Sequence, residues 1–180
     1  MKTTFWSAAL LSSLLGASLA APYTAAGGQA VFDYRVTFIG VRGTTPDVKA
    51  SMNIDPDNLA KVSGTVNVTV ATFKTGNGVR DGHMRGALGA DEFKDAVFTL
   101  SAVQGLGKLP EGQQVSSTVV GQLSLKGVAR TLSAPVKLKR VGNTIEVATQ
   151  FKFNPHDFGV DYFGGANDIA INVSFKLGGS

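Results

Sequence analysis

The chain of 180 residues contains no cysteine, which excludes disulfides, thiolate catalysis and cysteine-bound zinc. That absence does not identify a compartment. Charge is sparse as well: charged residues make up 17% and the formal net charge is +4. The basic residues are dispersed, so the sequence lacks the footprint of a nucleic-acid binder. Histidine occurs only twice, at His83 and His156, and no His-x-x-x-His pair or nucleophile motif accompanies them. Gly76, Gly78 and Gly82 suggest a phosphate loop, but Asp81 stands where the third glycine of a dinucleotide fingerprint belongs. No Gly-Lys-Ser/Thr follows either.

Long apolar runs are also missing. The one candidate lies at the start, where Lys2 precedes the short stretch Ala8-Ala9-Leu10-Leu11-Ser12-Ser13-Leu14-Leu15. Small residues follow at Ser18-Leu19-Ala20, as a signal peptidase requires. The stretch is too short to span a bilayer comfortably. The sequence predicts a signal peptide over 1–20, cleavage before Ala21, and export of 21–180 as one domain to the periplasm or beyond.

What the chain does have is alternation. Apolar residues, 43% of the total, recur at every second position, as half-buried strands require. Strands are predicted at Val31–Ile39, Val48–Ile54 and Val62–Val70, then at Ala96–Gln104 and Val115–Lys126. Three more follow along Leu132–Leu138, Ile145–Phe153 and Ile169–Leu177. In the first, Phe32, Tyr34, Val36 and Phe38 share one face. The segments Ala25-Ala26-Gly27-Gly28 and Gly40 to Pro46 read as a spacer and a break. Val141-Gly142-Asn143 reads as a hairpin turn. Asn154 to Gly165 reads as a long aromatic loop.

One stretch is neither strand nor turn. Thr75-Gly76-Asn77-Gly78-Val79-Arg80-Asp81-Gly82-His83-Met84-Arg85 concentrates charge in an otherwise sparsely charged chain. Asn77 can cap a short helix. Within that helix Asp81 and Arg85 stand four apart and can pair, while Val79 and His83 share a face. Arg80, Asp81, His83 and Arg85 are the candidate polar site, with bracing of the helix as the structural alternative.

The prediction is an all-β fold: an eight-stranded antiparallel barrel with a short helix between strands 3 and 4. Closure removes exposed edges and gives the apolar faces a common interior. Small residues fall on the inward phases, among them Ala50, Gly64, Gly121, Ala134 and Thr149. They either leave a lined cavity or accommodate taper and bending of the strands.

The order and wording of these segments resemble the YceI-like family of exported, lipocalin-like proteins. The resemblance rests on Val36 to Gly43, on Thr75-Gly76-Asn77 with Arg80-Asp81-Gly82-His83-Met84-Arg85, on Phe93 and Phe98, on Gly121 to Arg130, and on Asp157-Phe158-Gly159-Val160. It implies an elongated barrel cavity holding a long isoprenoid lipid, such as a polyprenyl phosphate or an isoprenoid quinone, for carriage or storage in the cell envelope. It implies no catalysis, no metal and no cofactor apart from that lipid. Arg80, Asp81, His83 and Arg85 would meet its head group. Phe38, Val66, Val68, Met84, Phe98, Val119, Gly121, Ala134, Phe151 and Phe158 would line the cavity. A membrane, a membrane electron-transfer protein and a second copy of the chain are the further partners considered. Two other readings stay open: a ligand-free structural or partner-binding envelope protein, and a hydrolase using His83, His156, Asp81 and Asp157.

Overall fold

A computed structural model describes residues 20–179. Apart from Ala20, the expected signal peptide lies outside them. Ten strand segments are present: β1 (Ala21–Ala25), β2 (Gly28–Val36), β3 (Ile39–Thr45), β4 (Val48–Ile54), β5 (Ser63–Thr69), β6 (Asp95–Gln104), β7 (Gln114–Leu125), β8 (Val128–Val141), β9 (Thr144–Phe153) and β10 (Ile169–Gly179). One α-helix, α1 (Gly78–Leu88), separates β5 from β6. The sheet runs β1-β4-β5-β6-β7-β8-β9-β10-β2-β3, and β1 also pairs with β10, which closes it. All the strand pairs are antiparallel.

Ten segments make eight staves. β1 and β2 are one stave interrupted at Ala26-Gly27, and β3 and β4 are the next, interrupted at Pro46-Asp47. The register carries through both breaks, with Ala25 opposite Ala50 and Ala30 opposite Thr45. Proline has no N–H for the ladder, and the Pro46 carbonyl instead accepts from the Gly28 and Val48 N–H groups at 3.2 and 3.0 Å. The fold is therefore the closed eight-stranded antiparallel barrel expected.

Two local expectations are corrected. The predicted spacer at Ala25 to Gly28 shrinks to Ala26-Gly27 between β1 and β2, and Tyr23, Ala25 and Ala30 belong to the core. The predicted break from Gly40 to Pro46 is largely β3. Its glycine Gly43 lies opposite Phe32, and a Cβ there would run into the Phe32 ring. The glycine makes room for an aromatic ring; it does not end a strand.

The two ends of the barrel differ. At one, the Leu59 N–H donates to Gly107 O at 2.9 Å and the Leu109 N–H to Pro56 O at 2.6 Å. This joins the β4–β5 and β6–β7 loops, and Leu59, Val62 and Leu109 are buried there. The opposite end carries α1, the β2–β3 and β7–β8 turns and the loop before β10. The Asn77 side chain caps α1 by accepting from the Arg80 N–H at 3.1 Å, and Gly89 ends it in the left-handed region at φ 60°.

Gly121 also differs from its predicted role. It faces inward on β7, but a Cβ there would meet the Thr99 carbonyl and come within 2.6 Å of Phe98 Cζ. The Phe98 ring already occupies the space that glycine leaves. Gly121→Ala is expected to destabilise the fold by about 1–3 kcal/mol through overpacking. A shift of the urea midpoint measures this, and an unchanged midpoint would refute it.

Candidate functional site

The barrel interior holds a cavity of about 480 Å³. Its wall is built from the inward phases of the strands, including Val66, Val68, Phe98, Val119, Ala134 and Phe151. From α1, Arg80, His83, Met84, Ala87 and Leu88 face it, a spacing of three and four residues that keeps one helix face on the opening. Polar side chains are few and unevenly placed. Thr149, in the wall, turns its hydroxyl away to donate to Pro135 O at 2.7 Å. The others, Tyr34, Thr75, Arg80, His83 and Tyr162, belong to the end that carries α1.

Not every residue predicted for the site lies in it. Phe38 is 93% exposed and is corrected out of the lining. Alternation places Phe32, Tyr34 and Val36 inside, but it stops at the two-residue turn Thr37-Phe38, where Thr37 adopts φ 56°. Phe158 is buried but sits in a separate cluster, with its ring edge-on to Phe153 at 5.2 Å. Gly121 lies behind Phe98, as described above. Asp81 and Arg85 do not border the cavity.

The expected Asp81–Arg85 pair is replaced by a different arrangement. Asp81 is 5% exposed, and its Oδ1 accepts from the Thr75 N–H at 2.9 Å and the Thr75 hydroxyl at 2.6 Å. Arg80 then donates through Nε to Thr75 Oγ1 at 2.9 Å and through Nη2 to Thr75 O at 2.6 Å. Thr75 thus couples the buried carboxylate to the cavity-facing guanidinium. Among the described residues Arg80 has no ion pair, and its Nη1 donates to none of their acceptors. The histidines stay separate in role: His156 Nδ1 lies 2.6 Å from Asp161 Oδ1, while His83 is exposed at the edge of the opening.

Hydrogen bonds from the Thr75 hydroxyl and N–H hold the Asp81 carboxyl below its ordinary value, with Lys74 and Arg85 adding smaller attractions against the opposing effect of burial. A lowered folded-state pKa means that, in acid, the unfolded chain binds the proton first. Stability is present above the ordinary carboxylate value and lost as pH falls through the lowered one. Asp81→Asn is expected to flatten this acid-side slope while keeping an acceptor for Thr75. Urea midpoints from neutral pH into the acid range test it, and equal slopes would refute it.

Thr75, Tyr34 and Tyr162 are not among the site residues expected from the sequence. Tyr34 was legible in part, since it lies in phase with Phe32. Burial, with the nearby Asp161 charge, raises its hydroxyl pKa. Thr75 lies in the Thr75-Gly76-Asn77 segment that carries the family resemblance, but its role comes from contacts with Asp81 and Arg80.

Residues 24–177 match the family model of the YceI-like domain. The chain belongs to the YceI-like family. It is 32% identical over 143 residues to a UPF0312 protein of Serratia proteamaculans, covering 76% of this chain and 70% of that one. It is 30% identical over 135 residues to a UPF0312 protein of Yersinia enterocolitica, with coverage of 71% and 67%. Among solved structures, a polyisoprenoid binding domain from Saccharophagus degradans, implicated in plant cell wall breakdown, superposes with a TM-score of 0.73. Identity is 14%, with coverage of 89% of this chain and 99% of that one. BcnA of Burkholderia cenocepacia gives a TM-score of 0.70 at 22% identity, covering 83% and 95%. At these identities the structural matches establish the shared fold. In this YceI-like chain, the cavity and the Asp81–Thr75–Arg80 chain at its open end are the features that carry chemistry.

Proposed function

We propose that this protein binds a long isoprenoid lipid, tail inward, and carries or stores it in the cell envelope after export. The observation that supports this most is the separation inside the barrel: an apolar wall along its length, with polar side chains gathered at one end. The volume of about 480 Å³ falls within the ordinary range of ligand pockets, about 300–1,000 Å³. Burying an apolar tail is favourable by roughly 25 cal/mol per Å², and a branched hydrocarbon asks nothing polar of the wall. At the open end, Arg80 Nη1 suits a phosphate oxygen and His83 suits a quinone carbonyl. The polyisoprenoid binding named for the Saccharophagus degradans domain agrees with this reading.

We read the protein as a carrier, not an enzyme. Asp81 is committed to Thr75 and His156 to Asp161, which withdraws two of the four groups that a hydrolase of His83, His156, Asp81 and Asp157 would use. Export rests on Lys2, the apolar run and Ser18-Leu19-Ala20. Organic extraction of gently purified protein, followed by mass spectrometry, tests the ligand. A retained polyprenyl phosphate or isoprenoid quinone is expected. Protein that retains no isoprenoid and binds none when it is added would leave the ligand-free structural reading.

A further inference from the structure

Six large side chains with apolar bodies are exposed among the described residues, and five of them are at the end that carries α1: Phe38, Ile39, Val79, Phe163 and, by its ring, Tyr162. Single exposed apolar residues are ordinary. Here Phe38 and Phe163 are 93% and 99% exposed, and the turns that bear them are fastened together. The Thr37 N–H donates to Gly164 O at 2.6 Å, and the Ala166 N–H donates to Arg35 O at 2.9 Å. Val36 and Gly165 form an antiparallel bridge between these contacts. The close approach depends on glycine: a Cβ at Gly164 would lie 2.6 Å from Thr37 Oγ1, and one at Gly165 would run into the Tyr34 hydroxyl. Thr37, a β-branched residue at φ 56°, is held in a conformation such residues rarely adopt. The result is a braced tip with two phenylalanine rings directed into solvent.

The tip is continuous with the cavity. Ile39 and Tyr162 belong both to the exposed set and to the lining, so apolar surface runs from the barrel interior to the two rings. We infer that the tip formed by Phe38 and Phe163 inserts into a lipid bilayer and sets the open end of the cavity against the membrane. This rests on the reading of the cavity as an isoprenoid site, because such a cargo resides in a bilayer and need not cross water if the opening meets it directly. A protein partner fits less well. Two protruding rings supply about 150–250 Å² each, whereas a stable protein interface takes about 800 Å² from each side. Phenylalanine, by contrast, is one of the side chains that membrane-surface elements bury at the headgroup–acyl boundary.

The contact is mainly apolar. Of the acids nearby, Asp33 pairs with Arg42, Asp161 with His156, and Asp81 bonds Thr75. The remaining cations at this end, Arg35, Lys74, Arg80 and Arg85 with Lys126 and Arg130 beside the β7–β8 turn, outnumber Asp157 and Asp168. Binding to vesicles containing anionic phosphatidylglycerol should therefore weaken in part as salt is raised, while the contribution of the two rings persists.

The test is flotation of the purified protein with vesicles of phosphatidylethanolamine and phosphatidylglycerol, comparing it with the double variant Phe38→Ser/Phe163→Ser. Both side chains are solvent-exposed and outside the cavity, so the variant should fold and bind a short-chain polyprenol in solution unchanged. Its vesicle binding should fall about tenfold or more, and delivery of a fluorescent polyprenol to vesicles should slow in parallel. Absence of vesicle binding by the unsubstituted protein, or equal binding by the variant, would overturn the inference. So would a shift from dimer to monomer in the variant without any vesicle binding, which would assign the tip to a second copy. Vesicle binding that depends on the two rings, with no polyprenol bound by either protein, would uphold the tip and overturn the cavity reading.

Discussion

Ala134→Phe should keep the proposed lipid out of the cavity. Ala134 is 2% exposed, sits on β8 opposite Val119, and borders the cavity. A ring added there projects into the space proposed for the tail. Displacing one five-carbon isoprene unit forfeits about 4 kcal/mol at roughly 0.8 kcal/mol per buried carbon, about a thousandfold in affinity. Overpacking costs the fold separately, about 1–3 kcal/mol. The two effects are read apart, by lipid content per folded molecule and by the denaturation midpoint. A folded variant with unchanged lipid content would refute this placement of the tail. Gly121→Phe, by comparison, is not a clean block, because the Thr99 carbonyl and the Phe98 ring stand where its side chain would begin.

Arg80→Gln should discriminate between ligands by head group. The Arg80 guanidinium borders the cavity and is oriented by Thr75 through Nε and Nη2. Its loss should weaken binding of a polyprenyl diphosphate by about 1.5–3 kcal/mol, the usual worth of a hydrogen bond to a charged group. An uncharged quinone with the same tail should bind almost as before. Arg85→Gln should affect neither ligand much, since Arg85 lies outside the lining. His83→Gln should weaken the quinone more than the diphosphate if the imidazole meets a carbonyl. Equal losses for both ligands with Arg80→Gln would make Arg80 a brace for Thr75 and nothing more. Titration calorimetry with the two ligands, alongside thermal unfolding of each variant, separates these outcomes.

These expectations combine what alternation made legible with what it could not reach. Period-two patterning along the chain was enough for an antiparallel barrel, because a strand buried on one face leaves that mark whatever its partners are. It also put Val66, Val68, Val119, Ala134 and Phe151 on inward faces, which the family resemblance made the wall of a cavity and which border it in the structure. Asn77 identified the helix start through its capping chemistry, which acts within four residues.

The remaining features depend on residues distant in sequence. Gly43 reads as a break until Phe32 is placed over it, and Gly121 reads as an opening until Phe98 fills it. Phe38 keeps the inward phase of its strand on paper, and only the turn at Thr37 carries it outside. Asp81 and Arg85 have the spacing of a helix pair, but Thr75, six residues before Asp81, offers two donors to its buried carboxylate and wins. The sequence by itself determined the strand faces, the helix and the family, because each is written in local spacing or in motifs. The tertiary structure alone decided which small residues leave empty space, which arginine faces the cavity, and that Phe38 and Phe163 stand together at its mouth. Those outcomes follow from closure of the barrel, which brings distant segments into contact and fills or leaves the gaps between them.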